Sequence, residues 1–121
     1  MSGSRLICVV DDDEAVRAAI ANLLRAESFR TQAFDSAEAL LSSGDHRTAS
    51  CVIADIQMPG MSGIGLANRL GQMNPPIPVI LMTARTEPEV LESAAGSRAA
   101  FLLQKPFSSD RLLECVRSVL R

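Results

Sequence analysis

The sequence predicts a doubly wound α/β fold, in which five βα units form a parallel sheet with helices packed on both faces. Short, wholly apolar runs alternate with longer segments whose apolar residues recur every three or four positions. Most of the apolar runs are continuous, which is typical of strands buried on both faces. The length of 121 residues suits one domain, so we interpret residues 1–121 as a single unit.

The first two units occupy residues 6 to about 44. Residues 6–10 form an apolar run, and from residue 13 to about residue 26 the apolar positions share one helical face. Residues 29–34 alternate between apolar and polar side chains, so the second strand is expected to be more exposed and to lie at an edge of the sheet. Ser36 then opens a short helix that ends near Gly44.

The remaining three units follow the same pattern. The predicted strands are 51–54, 79–82 and 101–103. The predicted helices run from residue 64 to about 73, from 88 to about 95, and from Ser108 or Ser109 to about residue 120. Pro59, Gly60 and Gly63 mark the loop that follows the third strand. Five such units favour the strand order 2-1-3-4-5 in a three-layer sandwich, with a ligand crevice where the chain reverses direction between strands 1 and 3.

Composition and charge exclude several classes of protein. The formal net charge of −2 gives no sign of nucleic-acid binding, and no apolar stretch approaches the length needed to span a membrane. The start of the chain lacks the pattern of a signal peptide, so we expect a cytoplasmic protein. Cys8, Cys51 and Cys115 are widely spaced in apolar surroundings, which favours buried free thiols. His46, in a polar stretch, is expected to be a solvated loop residue.

Polar side chains recur at the carboxyl ends of the predicted strands. Asp11 and Asp12 follow strand 1, Asp55 follows strand 3, Thr83 follows strand 4, and Lys105 lies just beyond strand 5. The three carboxylates converge on the crevice between strands 1 and 3 and offer the hard oxygen ligands that Mg²⁺ prefers. The metal, the hydroxyl and the ammonium group would together hold the oxygens of a phosphoryl group.

The run of three aspartates that ends strand 1 is divided between two roles. Side-by-side carboxylates repel one another by about 3 kcal/mol at 5 Å and an effective dielectric constant of about 20. A bound metal would offset that repulsion for Asp11 and Asp12. Asp13 lies where the first helix starts, so we interpret it as the N-cap.

Four motifs, each at the end of its own strand, identify a family. In order along the chain they read VVDDDEAVR, IADIQMPGMSG, LMTA and QKPF. Together they resemble the receiver domain of two-component response regulators, and the resemblance covers essentially the whole chain. It implies a flavodoxin-like fold, a domain that catalyses only its own phosphorylation and dephosphorylation, and a cis peptide bond between Lys105 and Pro106.

The resemblance also implies a role for each site residue. Asp55 matches the phosphoacceptor, Asp12 matches a direct Mg²⁺ ligand, and Asp11 holds the metal mainly through water. The second side-chain ligand would be Asp55, and the backbone carbonyl of Gln57 would be the third protein oxygen. Lys105 is expected to pair with the phosphate and, before phosphorylation, with Asp55. Thr83 is expected to move inward to a phosphate oxygen, and the backbone amides of Thr83 and Ala84 would complete the phosphate site.

Partners follow from the same resemblance. The phosphodonor would be a sensor histidine kinase or a small-molecule donor, and the face formed by helix 4, strand 5 and helix 5 would contact an output domain or a partner protein. A homodimer formed on phosphorylation is a further expectation, and SAEALL and MPGMSG are similar to regulators whose receivers precede a DNA-binding domain. One alternative is a stand-alone single-domain regulator. Another is a metal-dependent phosphohydrolase, although such enzymes often carry a second acid two residues after the nucleophile, where this chain has Gln57.

One position departs from the receiver pattern. Many receivers carry Phe or Tyr three residues before the lysine, and here that position is Leu102, with Phe101 one residue earlier. Because side chains alternate along a strand, Phe101 and Leu102 are expected to face opposite sides of the sheet.

Overall fold

Five strands alternate with five helices in a computed structural model that describes residues 5–121. The strands are β1 (Leu6–Val10), β2 (Arg30–Phe34), β3 (Ala49–Asp55), β4 (Val79–Thr83) and β5 (Phe101–Gln104). The helices are α1 (Glu14–Ala26), α2 (Ala37–Ser43), α3 (Gly63–Gly71), α4 (Pro88–Ala95) and α5 (Ser109–Val119). A 3-10 turn, Asp45–Arg47, lies between α2 and β3.

The sheet is parallel throughout and has the order β2-β1-β3-β4-β5, which confirms the predicted topology. Strands β1 and β4 are buried along their whole length, whereas β2 is exposed at several positions, as expected of an edge strand. Residue pairing places Val10 of β1 beside Ala54 of β3. The strands on either side of the crevice therefore end at nearly the same level, and the acids that follow them meet.

Two apolar layers hold the helices on the sheet. Val9, Ile53 and Ile80 point toward α1 and α5, whereas Val10 and Leu81 point toward α2, α3 and α4. This arrangement is the predicted three-layer sandwich. Burial of apolar surface is the main stabilising term in such a core, at about 25 cal/mol per Å².

Serine and aspartate side chains cap the N-termini of four of the helices. Asp13 caps α1, Ser36 caps α2, Ser62 caps α3 and Ser108 caps α5, each by accepting hydrogen bonds from backbone N–H groups of the first turn. The N-cap role predicted for Asp13 is confirmed. Ser108 rather than Ser109 is the N-cap of the last helix. Helix α4 has no side-chain cap and starts with Pro88.

The expectation for His46 is wrong. Its side chain is 5% exposed, and within residues 5–121 its Nδ1 atom has no hydrogen-bond partner. Gly44 ends α2 in the left-handed conformation, at φ 79°, and turns the chain into the 3-10 turn. That turn packs against α2 and β3, and this packing buries the imidazole.

The cysteines and the fifth strand agree with expectation. All three thiols are free and buried, and burial raises the pKa of Cys8 to about 12. Phe101 packs in the layer under α1 and α5, whereas Leu102 packs in the opposite layer, so the two side chains do face opposite sides. Among the helices of residues 5–121, none has the length and apolar character required to cross a membrane.

Candidate functional site

Asp11 is the most constrained acid of the site. Its backbone N–H donates to the Phe34 carbonyl, at 3.1 Å, and so extends the pairing of β1 with β2 by one residue. Its side chain is completely buried. The Oδ1 atom accepts the Asp13 backbone N–H at 2.9 Å, and Oδ2 lies 3.2 Å from Lys105 Nζ. The Arg17 guanidinium donates to the Asp11 carbonyl at 2.7 Å, which fixes the backbone as well.

Asp12 and Asp13 have different environments. Asp13 turns away from the crevice, and its Oδ1 accepts the backbone N–H groups of Ala15 and Val16 at 2.9 and 3.2 Å. Asp12 is exposed, and no side-chain hydrogen bond or ion pair holds it within residues 5–121. In the run from Asp11 to Asp13, Asp12 is therefore the acid whose carboxylate is free to contact an added ligand directly.

Asp55 is the last residue of β3 and lies opposite Met82 of β4. It is 8% exposed, so most of its surface is withdrawn from solvent. One carboxylate oxygen from each of Asp11, Asp12 and Asp55 lies within 4.8 Å of the others. These oxygens converge as the sequence predicted, and this donor set suits Mg²⁺, which takes carboxylate oxygens and retains water molecules.

Lys105 brings the positive charge to this cluster. It follows β5, its backbone N–H donates to the Thr83 carbonyl at 2.7 Å, and its peptide bond to Pro106 is cis. Its Nζ atom lies 3.2 Å from Asp11 Oδ2 and 3.6 Å from Asp55 Oδ2. The ammonium is thus nearer to Asp11 than to Asp55, the partner that the family resemblance emphasises.

The charges of the site do not balance. Burial raises the pKa of the Asp55 carboxyl above its ordinary value, and the charges of Asp11 and Asp12 act in the same direction, whereas the Lys105 ammonium lowers it. Three carboxylates face one ammonium group. The excess negative charge favours binding of a divalent cation at this position.

Thr83 completes the group of predicted residues. It ends β4 and is completely buried, and its Oγ1 accepts the backbone N–H of Arg85 at 2.9 Å. A threonine hydroxyl can donate one hydrogen bond in addition to those it accepts. The hydroxyl hydrogen of Thr83 is therefore available to an oxygen that enters the crevice.

The loop from Ile56 to Ser62 carries Gln57 and is fastened at both ends. The Ile56 N–H donates to the Met82 carbonyl at 2.8 Å, and the Gly63 N–H donates to the Ile56 carbonyl at 3.1 Å. Within the loop, the Met61 N–H donates to Glu38 Oε2 of α2 at 2.8 Å.

The sequence does not reveal the roles of three residues that support this geometry. Arg17 and Glu38 act from helices, and their contacts with other elements leave no local pattern. The sequence marks Gly63 only as a loop residue, whereas the structure shows that a Cβ atom there would overlap the carbonyl oxygen of Asp55. The motif that surrounds Gly63 was the only available signal.

Comparison with protein families matches almost the whole chain. The family model for the response regulator receiver domain matches residues 7–117. The transcriptional regulatory protein FixJ of Bradyrhizobium diazoefficiens is 35% identical over 115 residues, which cover 95% of this chain and 56% of FixJ. The response regulator protein TmoT of Ectopseudomonas mendocina is 32% identical over 116 residues, 96% of this chain and 53% of TmoT. The chain thus spans about half the length of these curated relatives.

Solved structures agree on the fold. The BeF3-activated DrrB receiver domain superposes with a TM-score of 0.86 at 26% identity, and the match covers 97% of both chains. A DNA-binding response regulator of the LuxR family from Staphylococcus aureus superposes with a TM-score of 0.87 at 24% identity, covering 97% of this chain and 99% of that one. The second likeness bears on the fold alone.

Proposed function

This chain belongs to the response regulator receiver domain family of two-component systems, and from that membership we propose that it accepts a phosphoryl group on Asp55. The observation that carries the proposal is the convergence of Asp11, Asp12 and Asp55, with oxygens within 4.8 Å of one another, beside Lys105 Nζ. Metal binding would use these three carboxylates and the Gln57 carbonyl. When bound, Mg²⁺ would supply positive charge that neutralises phosphoryl oxygens and orients the donor.

The chain's own residues account for the rest of the transfer. A carboxylate oxygen of Asp55 attacks phosphorus, the bond from phosphorus to the donor breaks, and its electron pair leaves with the donor. The product is an acyl phosphate on Asp55. Lys105 pairs with one phosphoryl oxygen, and the free hydroxyl hydrogen of Thr83 is donated to another. Such positioning and charge neutralisation supply most of the catalysis in phosphoryl transfer.

The proposed signalling role follows from the position of the site. A phosphoryl group that draws Thr83 and Lys105 inward would alter the face formed by α4, β5 and α5, and with it the affinity for an output domain or partner protein. We propose transcriptional regulation as the output, since FixJ is named a transcriptional regulatory protein. Turnover would be confined to the domain's own phosphoryl group, and a cytoplasmic location fits three free, buried cysteines.

Replacing Asp55 with asparagine is expected to abolish incorporation of phosphoryl groups from acetyl phosphate, because the amide cannot form the acyl phosphate. Wild-type incorporation is expected to require Mg²⁺ and to stop in EDTA. Both are measured by incorporation of radioactive phosphate into the purified chain. Labelling of Asp55→Asn at the wild-type rate would exclude Asp55 as the acceptor, and sustained hydrolysis of an added phosphomonoester would favour a phosphohydrolase.

An apolar groove beside the site is the surface we propose for the phosphodonor protein. It lies between α1 and the start of α5, has a volume of about 390 Å³, and includes Lys105 in its lining. The other lining residues include Val16, Ala19, Leu23 and Phe107. Because Lys105 belongs both to the groove and to the site, a helix of a sensor histidine kinase that packs there would bring its phosphohistidine close to Asp55.

Placing arginine at Ala19 is expected to slow transfer from the phosphorylated cognate kinase by about tenfold, since a charged side chain would fill the apolar groove. Transfer from acetyl phosphate should be unchanged. The matched control is Ala18→Arg, which makes the same change at an exposed position of the same helix that does not line the groove. Equal slowing by both variants, or loss of the acetyl phosphate reaction, would contradict the proposed docking surface.

A further inference from the structure

We propose that Glu38, in the first turn of α2, is a positioning residue for the metal-binding loop, because its carboxylate fixes the turn that follows Gln57. This inference rests on the proposed function, which makes the Gln57 carbonyl a metal ligand. It adds a residue on a different helix, 23 positions away in sequence from the loop residue that it holds.

The Glu38 carboxylate lies across two consecutive loop residues. Its Oε2 atom accepts the Met61 backbone N–H at 2.8 Å. The same oxygen occupies the space beside the Cα atom of Gly60, where an added Cβ would come within 2.5 Å of it. Gly60 has φ 78°, a left-handed conformation that glycine adopts without strain. The close approach of the carboxylate thus depends on both the conformation and the missing side chain at Gly60.

The other backbone hydrogen bonds that anchor the loop lie at its two ends, and between them the buried side chain of Met58 packs in the core. Ile56 is held by Met82, and Gly63 is held by Ile56. Between these points, Pro59 and Gly60 are exposed. The Gln57 N–H donates to the Asp55 carboxylate at the start of the loop, and Glu38 adds a side-chain hydrogen bond from another helix to its second half.

The position of Gln57 connects this contact to the metal. Gln57 lies between Ile56, which is bonded to β4, and the buried Met58, so the Met61 bond acts on it through the exposed turn at Pro59 and Gly60. Freeing that turn widens the range of positions open to Met58 and, with it, to the Gln57 carbonyl. Partners that orient the ligands of a metal, without touching it, typically contribute about tenfold to a hundredfold in affinity. Because the Glu38 contact is exposed and acts through a loop, we expect a contribution near the lower limit.

Glu38 also has a structural role, which the experiment must separate from positioning. An acid in the first turn of a helix interacts favourably with the helix dipole, so Glu38→Ala is expected to weaken α2 as well. The conservative variant Glu38→Gln loses the charge but keeps an amide oxygen that can accept the Met61 N–H. Positioning therefore predicts that Gln, unlike Ala, preserves metal affinity.

The test is the dissociation constant for Mg²⁺, measured by isothermal titration calorimetry because the chain has no Trp or Tyr to report binding by fluorescence. Glu38→Ala is expected to raise it about tenfold, whereas Glu38→Gln should stay within about twofold of the wild type. Urea unfolding without metal measures the stability of each variant separately. A purely structural Glu38 would lower stability in Glu38→Ala and leave the dissociation constant unchanged.

Two glycines provide a second, independent test. Gly60→Ala should displace the Glu38 carboxylate and raise the dissociation constant as Glu38→Ala does. Gly44 has nearly the same backbone angle, φ 79°, but an added Cβ there meets nothing within 4 Å. Gly44→Ala thus introduces the same backbone strain but displaces no carboxylate, so it should leave Mg²⁺ affinity unchanged. In the Glu38→Ala background, Gly60→Ala should cause no further loss of affinity.

The outcomes distinguish this inference from the proposed function. If the wild type neither binds Mg²⁺ nor accepts phosphoryl groups, the proposed function fails and the inference fails with it. If the wild type does both and Glu38→Ala binds Mg²⁺ equally well, only the role of Glu38 is overturned. Equal weakening by Ala and Gln would assign the effect to charge and would also overturn the positioning role. Should Glu38→Ala not fold, the comparison of Gly60→Ala with Gly44→Ala decides.

Discussion

Asp12→Ala is expected to make the metal-free domain more stable and at the same time unable to accept a phosphoryl group. Asp12 faces the carboxylates of Asp11 and Asp55, with oxygens within 4.8 Å. Because Asp12 is exposed, a water-like dielectric applies here, and two unit charges at that separation then repel by about 1 kcal/mol. We therefore expect the free energy of unfolding to rise by about that amount. Phosphoryl uptake from acetyl phosphate should fall about a hundredfold or more, since charge neutralisation is lost.

Magnesium should make the wild type more stable than Asp12→Ala, which reverses the order expected without metal. At a free concentration of about 100 times its dissociation constant, a ligand that binds only the folded state stabilises it by about 2.7 kcal/mol. The wild type should gain this stabilisation and Asp12→Ala should gain little of it, as measured by urea unfolding with and without Mg²⁺. Wild-type stability that does not respond to Mg²⁺ would contradict the account of the acidic cluster.

Asp13→Ala is the matched control, because it removes the neighbouring acid of the same run. Asp13 caps α1 through the Ala15 and Val16 amides, so its loss should lower stability by about 1 kcal/mol. Mg²⁺ binding and phosphoryl uptake should persist. If the two variants behaved alike, the division of the three aspartates into ligands and a cap would be wrong.

Gly63→Ala is expected to give the largest loss of stability among the substitutions considered, about 3 kcal/mol in the free energy of unfolding. A Cβ at Gly63 would overlap the carbonyl oxygen of Asp55 and lie 2.9 Å from its carbonyl carbon and 3.0 Å from Ile56 Cα. These are backbone atoms, so no side-chain rotation relieves the overlap. The backbone of the phosphoacceptor would have to shift, and phosphoryl uptake should fall as well.

Gly65→Ala is the control for this change, because it lies in the same helix two residues later. An added Cβ there meets only side-chain atoms, Met61 Cγ at 3.3 Å and Ser62 Oγ at 3.6 Å. Alanine is favoured over glycine in a helix by about 1 kcal/mol, so the substitution should be neutral or stabilising. Urea unfolding of both variants measures the difference in stability. Equal destabilisation would show that any added side chain at the start of α3 is unfavourable, and not only one at Gly63.

The fold could be predicted because local patterns carry most of the information in a parallel α/β domain. Continuous apolar runs located four strands, alternation located β2, and helical periodicity located the helices, with strand ends that differ by one or two residues. Those small differences matter at the site, since Asp55 and Thr83 are the final residues of their strands and do not follow them. The pairing that continues through these residues fixes their backbones.

The remaining features of the fold and of the site could not be predicted because they depend on contacts between distant parts of the chain. His46 lies in a polar stretch, yet it is buried by a turn whose packing depends on α2 and β3. Lys105 could be placed at the sheet edge, but its nearer approach to Asp11 than to Asp55 depends on side-chain geometry. The Glu38 contact joins a helix to a loop that no local pattern connects with it.

The most direct test of the central claim is the chemical identity of the phosphorylated residue. Borohydride reduces an acyl phosphate on aspartate to homoserine, so the wild type should be treated with acetyl phosphate and Mg²⁺, reduced, digested and sequenced by mass spectrometry. We predict homoserine at position 55 and at no other aspartate. Homoserine at position 11 or 12, or a stable phosphoryl group on His46, would contradict the assignment of Asp55 as the acceptor.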